Sequence, residues 1–210
     1  MNSLIVNEIF YSIQGEGFHT GRPSIFCRFS GCNLWNGLER DREIAKCNFC
    51  DTDFVGTNGV GGNKFLNEDD LAKEIISYWP NSSEPFVILT GGEPMLQVDK
   101  KLIHALKSYK CHLAIETNGT IKVPNEIDWI CVSPKAGNSL VQVYGDELKL
   151  VYPQKNITPE EYEKYSFKNF SLQPMDGELK LHNTNLAIEY CKNNPNWKIS
   201  LQTHKIIGVR

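Results

Sequence analysis

The chain has neither an excess of positive charge nor a long apolar run. Its 22 Lys and Arg residues are outnumbered by 25 Asp and Glu, which gives a formal net charge of −3. Nucleic-acid binding relies on a basic face, which this balance does not predict. No apolar run approaches the roughly 18 residues of a membrane span, and the N-terminus lacks the charged lead and apolar stretch of a signal peptide. We therefore expect a cytoplasmic protein that binds neither nucleic acid nor membrane.

The cysteines lack the pattern of a disulfide framework. There are 7 of them, an odd number, and such frameworks are rare in cytosolic proteins. Four lie in apolar, strand-like or helix-like contexts, where we expect buried small hydrophobic residues: Cys27, Cys111, Cys131 and Cys191. The other three lie together in one loop and need a different explanation.

That loop contains Cys32, Cys47 and Cys50, with fourteen residues between the first two and two between the last two. Structural zinc takes four protein ligands, and His19 or Asp51 could supply the fourth. The loop has no second CxxC or HxxxH pair, which would make a zinc site specific. A [4Fe–4S] cluster held by three thiolates would instead leave one iron open to a substrate or cofactor. The cysteine spacing alone leaves both possibilities open.

Alternating strand and helix patterns predict an α/β fold with a parallel sheet. No domain boundary is visible, so we expect one domain over 1–210 with an expanded cysteine loop at 31–54. The glycine-rich stretch 56–65 is predicted to be a flexible loop, because it lacks the strand–loop–helix arrangement of a phosphate cradle. Strands are predicted at 4–10, 24–30, 86–90, 112–117, 128–133, 147–152, 169–174 and 198–203, and helices at 67–79, from 95 to about 109, near 158 and at 184–193.

Polar residues collect where these predicted strands end. Parallel α/β folds bind ligands beyond the carboxyl ends of their strands, so five such clusters in succession predict one site along that edge. Arg28 interrupts an apolar strand and must either face solvent or pair with an anion. The clusters lie at 90–93, 116–119, 133–135, 173–176 and 203–205.

The motifs around the cysteine loop resemble those of the radical S-adenosylmethionine (SAM) superfamily. A CxxC preceded by a distant cysteine, an aromatic residue before the last cysteine, and GGEP after the next long strand follow that pattern. The superfamily's usual spacing between the first two cysteines is three residues, against fourteen here. The segments FYSIQGEG, FCRFSGCNLWNG, CDTDF, TGGEP, ETNGT, VSPK, LQP and LQTHK resemble the 7-carboxy-7-deazaguanine synthase family, some members of which have an expanded loop.

This resemblance implies a fold, a reaction and a set of ligands. The fold is an incomplete TIM-like barrel of the radical SAM type, with mostly parallel strands and the site at their C-terminal ends. The reaction converts 6-carboxy-5,6,7,8-tetrahydropterin to 7-carboxy-7-deazaguanine by hydrogen abstraction at C6, ring contraction and loss of ammonia. The implied cofactors are a [4Fe–4S] cluster, SAM and Mg²⁺. A homodimer and an electron donor such as flavodoxin are the implied partners.

The resemblance also assigns site residues position by position. Cluster ligands would be Cys32, Cys47 and Cys50, and Thr52 would bind Mg²⁺. Contacts to SAM would come from Phe49, Cys50, Asp51, Gly91, Gly92, Glu93, Ser133, Pro134, Lys135, Gln173, Pro174, Met175 and Asp176, with Glu116 and Asn118 as weaker candidates. Substrate contacts would come from Ile13, Gln14, Gly15, Glu16, Arg28, Thr90 and, through its terminal carboxylate, Arg210.

Two other functions compete with this one. An enzyme that generates a glycyl radical on a protein partner would share the chemistry, but it predicts the three-residue cysteine spacing and a docking surface. A zinc-binding interaction module without catalysis would share only the cysteines. The insertion at 33–46 can form either a short polar helix or a surface excursion.

Overall fold

Nine strands form one sheet in the computed structural model, which describes residues 3–210. Residues 1 and 2, which belong to the predicted domain, lie outside the described residues. The strands are β1 Leu4–Ile13, β2 Pro23–Phe29, β3 Asn63–Phe65, β4 Phe86–Gly91, β5 His112–Thr117, β6 Trp129–Val132, β7 Tyr144–Tyr152, β8 Ser166–Pro174 and β9 Trp197–Ile199.

The sheet is mostly parallel and does not close on itself. Its strand order is β3-β1-β2-β4-β5-β6-β7-β8-β9. Strand β1 is antiparallel to both of its neighbours, β2 and β3. All other neighbouring pairs, from β2–β4 to β8–β9, are parallel. Every residue of β4 from Phe86 to Thr90 is buried, as expected for a parallel strand covered on both faces. The architecture is the predicted incomplete barrel.

The helices of the described residues are α1 Glu68–Ser77, α2 Lys100–Ser108, α3 Lys180–Asn193 and α4 Thr203–Ile207. The first three contribute to the main hydrophobic core of the sheet, while α4 lies at the cavity described below. Asn67 caps α1 by accepting from the Asp70 backbone N–H at 2.8 Å, and Asp99 caps α2 in the same manner. Both helices bury their apolar stripes against the sheet, including Leu71 and Leu102. In the described part of the chain, no helix is both long and apolar enough to cross a membrane.

A second, smaller apolar cluster fills the concave side of the sheet. It contains Phe10, Phe26, Phe86, Ile88 and Ala114. The rings of Phe10 and Phe26 stack with centroids 5.0 Å apart. Because both rings also line the cavity described below, this cluster forms an apolar part of its wall.

Two segments differ from the sequence-based prediction. Residues 63–65, expected in a flexible loop, form β3 because they pair with the edge of β1. The predicted strand 198–203 is shorter, and Thr203 begins α4 instead of ending a strand. The chain therefore does not finish directly after a strand. Both differences depend on partners distant in sequence, which local hydrophobic patterns do not report.

The insertion between the first two cysteines forms a short 3₁₀-helix, Glu39–Ile44. The first of its two predicted alternatives, a short polar helix, is therefore correct. No residue of this helix is buried, and the Ile44 side chain is 86% exposed. Two further 3₁₀-helices follow at Pro94–Leu96 and Pro159–Tyr162, the second with the predicted Thr158 at its start.

Candidate active site

One cavity of about 620 Å³ opens at the carboxyl ends of the parallel strands. It is lined by residues from β1, β2, the cysteine loop and the ends of β4 to β8, together with residues after β9. The predicted substrate residues Ile13, Gln14, Gly15, Glu16, Arg28, Thr90 and Arg210 all line it. So do all of the predicted metal and SAM residues except Glu93 and Pro134.

The three loop cysteines are free thiols that face this cavity. Burial is the main cause that raises the pKa of Cys32 and of Cys47, and the neighbouring thiols add to it. Among the described residues, no group of three or more His, Cys, Asp or Glu lies close enough to hold a single metal ion. An iron–sulfur cluster binds each cysteine through a different iron, so its ligands are spread more widely than those of one ion. Three thiols around one cavity fit such a cluster.

The insertion supports the cysteine loop instead of extending away from it. Trp35 is buried and its ring packs edge-on against Phe54, with centroids 5.5 Å apart. The guanidinium of Arg42 lies 4.1 Å from the centre of the Trp35 ring. The same guanidinium donates to the backbone carbonyls of Asn48 and Cys50, at 3.1 and 3.0 Å. Arg42 therefore fixes the backbone of the CxxC turn from outside the cavity.

Glycines in the GGEP motif allow the motif to lie directly against the cysteine loop. The Gly92 N–H donates to the Phe29 carbonyl at 3.1 Å, and the Glu93 N–H donates to the Gly31 carbonyl at 2.9 Å. A Cβ on Gly92 would lie 2.1 Å from that Gly31 oxygen. Glycine is thus required at 92 by close approach alone, which explains how the motif lines the cavity with backbone atoms.

Glu93 itself lies behind the cavity wall. Its side chain is fully buried and accepts from the Met95 N–H at 2.9 Å, the Thr117 hydroxyl at 2.7 Å and the Asn118 N–H at 2.8 Å. Burial raises the pKa of Glu93, and these donors oppose that effect. The carboxylate therefore holds the motif against the turn after β5. Glu93, a predicted SAM contact, does not line the cavity. Pro134 is likewise buried.

An ion-pair network that the sequence only partly indicates lines the cavity around Asp51 and Asp176. Lys205 in α4 pairs with Asp51 at 2.7 Å and with Asp176 at 2.6 Å. The hydrogen bond from Lys205 is the main cause that lowers the pKa of Asp176, to about 2. Gln202 donates to Asp51 at 2.9 Å. In the sequence, Lys205 appears in a strand-end cluster and Gln202 in the LQTHK segment, so neither is predicted to pair with Asp51.

The QGEG turn adjoins this network, because the Gln202 amide donates to both Glu16 and Asp51, and the turn is held by residues near position 203. We call residues 200–210 the C-terminal segment. Thr203 donates to the Gly15 carbonyl from both its N–H and its hydroxyl, each at 2.9 Å. A Cβ on Gly15 would lie 2.1 Å from Nδ1 of His204. Glycine at 15 therefore lets His204, another cavity residue that sequence analysis did not single out, pack against the turn.

Arg28 is held by an acidic partner on the neighbouring strand. Its Nε donates to Glu8 at 2.8 Å, and the other oxygen of Glu8 accepts from Arg210. Of the two predicted alternatives for Arg28, pairing with an anion is therefore correct, and Glu8 is that anion. Both guanidinium groups still line the cavity, so the ion pair does not remove them from a ligand's reach.

Deeper in the cavity, a buried lysine joins two carboxylates. Lys149 in β7 is 5% exposed and pairs with Glu16 and, at 3.7 Å, with Glu116. Sequence analysis assigned Lys149 to the strand alone. The sequence does indicate a charged pair here. Glu147 and Lys149 are two residues apart and so lie on the same face of a mostly apolar strand, where buried charges need partners.

Comparison with known proteins identifies the family. Residues 44–148 match the model of the radical SAM superfamily. The chain is 54% identical over 209 residues to 7-carboxy-7-deazaguanine synthase from Bradyrhizobium diazoefficiens, covering 99% of this chain and 100% of that relative. It is 53% identical over 205 residues to the enzyme of that name from Burkholderia multivorans, covering 97% and 98%. The chain belongs to the 7-carboxy-7-deazaguanine synthase family.

The fold has a matching solved structure. The crystal structure of QueE from Escherichia coli superimposes with a TM-score of 0.65 at 23% identity, covering 95% of this chain and 93% of that one. The predicted α/β incomplete barrel and the predicted radical SAM enzyme class are confirmed. Family membership also implies a [4Fe–4S] cluster and SAM, which favours this class over a zinc-binding interaction module. A glycyl-radical activating enzyme is not the family found.

Proposed function

We propose that the chain converts 6-carboxy-5,6,7,8-tetrahydropterin to 7-carboxy-7-deazaguanine, with ammonia as the only atoms lost. The observation that carries this proposal is that one cavity gathers the three free thiols, the GGEP backbone, the QGEG turn and two arginines. Relatives at 54% and 53% identity share the name of this activity over nearly their whole length. When bound, the cluster and SAM supply the radical chemistry that removes hydrogen from C6 of the substrate.

The chain's own residues would bind and orient the reactants. Cys32, Cys47 and Cys50 would hold the cluster, leaving one iron open. The backbone at Gly91 and Gly92 can accept from the SAM ammonium, because the glycines let a ligand approach. Contacts to the rest of SAM would come from Phe49, Asp51, Ser133, Lys135 and residues 173–176. These residues line the same cavity as the cysteines.

The substrate would occupy the side of the cavity formed by β1 and β2. Arg28 uses its Nε for Glu8 and has further N–H groups for the substrate carboxylate. Arg210, which also pairs with Glu8, would contact the pterin through its terminal carboxylate. Gln14, Glu16 and Thr90 offer amide, carboxylate and hydroxyl groups to the donor and acceptor edges of a pterin. Filling the cavity with substrate and SAM would exclude water from the reacting atoms.

Mg²⁺ would be bound through the Thr52 hydroxyl, which lines the cavity. This cation keeps several waters and uses few protein ligands, so one hydroxyl with substrate oxygens would suffice. The homodimer, the flavodoxin-like electron donor, the cytoplasmic location and the single-domain description of 1–210 are further parts of the proposal. The homodimer and the electron donor rest on the family resemblance, and the location and the single domain rest on the sequence patterns.

An anaerobic assay tests this function. The reconstituted protein is mixed with reductant, SAM and the carboxytetrahydropterin, and product is followed by mass spectrometry. We expect about four irons per chain and formation of 7-carboxy-7-deazaguanine. Added Mg²⁺ should raise the rate, and a chelator should lower it. One zinc per chain without iron, or a loaded cluster without product, would contradict the proposal.

A further inference from the structure

Lys149 lies between two carboxylates that come from different parts of the chain. Its ammonium pairs with Glu16, in the QGEG turn, and lies 3.7 Å from Glu116 on β5. All three residues line the cavity. Lys149 is 5% exposed, so solvent screens this group little and its charge strongly affects both neighbours.

Each carboxylate is also held by neutral donors. Gln202 donates to Glu16 at 2.9 Å. Gln14 donates to Glu116 at 2.9 Å, and the Thr90 hydroxyl donates to the other oxygen at 3.1 Å. These side chains fix the orientation of the carboxylates, but none carries charge. Lys149 is the cation that contacts both carboxylates in the described structure.

Removing that ammonium would leave two carboxylates in one buried place. Like charges in such a place raise the pKa of one member of the pair. With Lys149 present, its charge and hydrogen bond overcome the effect of burial and lower the pKa of Glu16. The other groups whose charges act on Lys149 are Cys131 on β6 and Glu147 on β7, and Lys149 acts in turn on Lys135 after β6.

Glu147 does not replace either carboxylate. Both of its oxygens accept from the Phe18 N–H at 3.1 Å, and one also accepts from the Ser171 hydroxyl at 2.7 Å. Glu147 is absent from the lining of the main cavity. The cluster that faces a ligand thus has two carboxylates and one ammonium, which leaves acceptor capacity for a ligand that offers N–H groups.

We propose that Lys149 is a positioning residue that keeps Glu16 ionised and holds Glu16 and Glu116 as acceptors for the N–H groups of the pterin. This inference rests on the proposed function, because it assigns that substrate to this side of the cavity. Lys149 itself acts through the two carboxylates. Its removal should therefore make substrate binding depend on pH.

Substrate binding without turnover provides the test. Anaerobic calorimetry measures the Kd of the carboxytetrahydropterin on the holoenzyme with SAM present and reductant omitted, between pH 6.5 and 8.5. For Lys149→Met we expect the Kd to exceed the wild-type value by roughly tenfold at pH 6.5, because one oxygen of a protonated carboxyl becomes an O–H donor that opposes a ligand N–H. The ratio should shrink toward pH 8.5. For Lys149→Arg, which keeps the charge, the ratio should stay constant with pH.

A purely structural lysine would give a ratio for Lys149→Met that does not change with pH, and this result would overturn the proposal. In the double variant Lys149→Met with Glu116→Gln, the like-charge pair is gone and the pH dependence should disappear. Its persistence would also overturn the proposal. Iron content and near-ultraviolet circular dichroism check that each variant is folded.

A measurement on proteins that keep Lys149 covers the case in which Lys149→Met does not fold. The infrared difference between wild type and Glu16→Gln at pH 6.5 should show the loss of an ionised carboxylate band. Loss of a protonated carboxyl band would overturn the inference. If the wild-type holoenzyme binds no pterin at any pH, the proposed function fails instead, whatever the infrared result.

Discussion

The Nε atom of Arg28 donates a hydrogen bond of 2.8 Å to the Glu8 carboxylate, across the antiparallel pair of β1 and β2. Glu8 and Arg28 are direct neighbours in the register of these strands. The Arg28 side chain nevertheless keeps 20% of its surface exposed, and it lines the cavity. One guanidinium can therefore bond to the sheet through Nε and to a ligand through its remaining N–H groups.

Replacing Arg28 should separate these two roles. For Arg28→Ala we expect the Kd of the carboxytetrahydropterin to rise about 100-fold, as is typical when one partner of a buried charge pair is lost. Iron content should stay unchanged. Calorimetry on the holoenzyme without reductant measures the Kd.

Glu8→Gln is the matched control, because it weakens the ion pair and keeps the guanidinium. It should raise the Kd much less than Arg28→Ala does. Equal effects of the two variants would mean that Arg28 acts only as the structural partner of Glu8.

Arg42 offers a test of the insertion's role. Its guanidinium donates to the carbonyls of Asn48 and Cys50, so Arg42→Ala should loosen the CxxC turn. We expect the cluster to be lost several-fold faster in air, followed by the decay of its visible absorbance. Arg40→Ala is the control, since the Arg40 side chain is 79% exposed and its nearest acid lies at 3.7 Å. Similar decay rates in both variants would show that the insertion does not stabilise the cluster.

Gly92 should tolerate no side chain. A Cβ at 92 would meet the Gly31 oxygen at 2.1 Å and the Cys32 Cβ at 3.1 Å, so Gly92→Ala must displace the first cysteine of the cluster loop. We expect less than half of the wild-type iron content after reconstitution and no product. The control is Gly21→Ala, where φ is +89° but no atom lies within 4 Å of the added Cβ. That variant should cost about 1–2 kcal/mol of folding free energy and retain iron. Full iron content in Gly92→Ala would contradict the close approach.

The pair between Lys205 and Asp176 predicts a pH-dependent part of the stability. The pKa of Asp176 is about 2 in the folded protein, against an ordinary value of 3.8. Because the folded-state pKa is lowered, the associated stabilisation is present above about pH 4. It is lost as the pH falls from about 4 to 2. Solvent screening of this partly exposed pair limits the stabilisation to about 1 kcal/mol.

Lys205→Met should therefore lower the free energy of unfolding by about 1 kcal/mol at pH 7, with a smaller difference from wild type below pH 4. Urea unfolding at several pH values measures it. Lys180→Met is the control, because Lys180 is more exposed and lies 3.2 Å from the same carboxylate. It should have a smaller effect. A Lys205→Met difference that stays constant down to pH 3 would argue against the ion pair as the source.

The positions of most strands and the edge that carries the site could be predicted from the sequence, because both depend on local patterns. Buried runs such as 86–90 mark parallel strands, and polar residues directly after them mark the ligand edge. The short strand β3 and helix α4 could not be predicted in this way. Asn63 to Phe65 extend because the edge of β1 offers hydrogen bonds, and Thr203 turns the chain because it meets Gly15.

The candidate site shows the same division. The cysteines and GGEP were found from spacing and motif. The partners that orient the site were found only in three dimensions, as with Glu8 for Arg28 and Lys149 for Glu16. Glu93 shows the reverse case, in which a motif residue predicted to touch SAM braces the backbone from behind. The specific ligand contacts of the site residues stay predictions.

The hydrogen bonds that join the N-terminal part of the chain to the C-terminal segment can form only after that segment has been synthesised. Gly15 and Thr203 are separated by 188 residues, and Ser12 and Arg210 by 198. At about 5–20 residues translated per second, the turn would wait roughly 10 to 40 s on the ribosome before its partner is made. The cysteine loop leaves the ribosome early in that interval. A nascent chain thus exposes its thiols well before the C-terminal segment is made and can close the cavity around the QGEG turn.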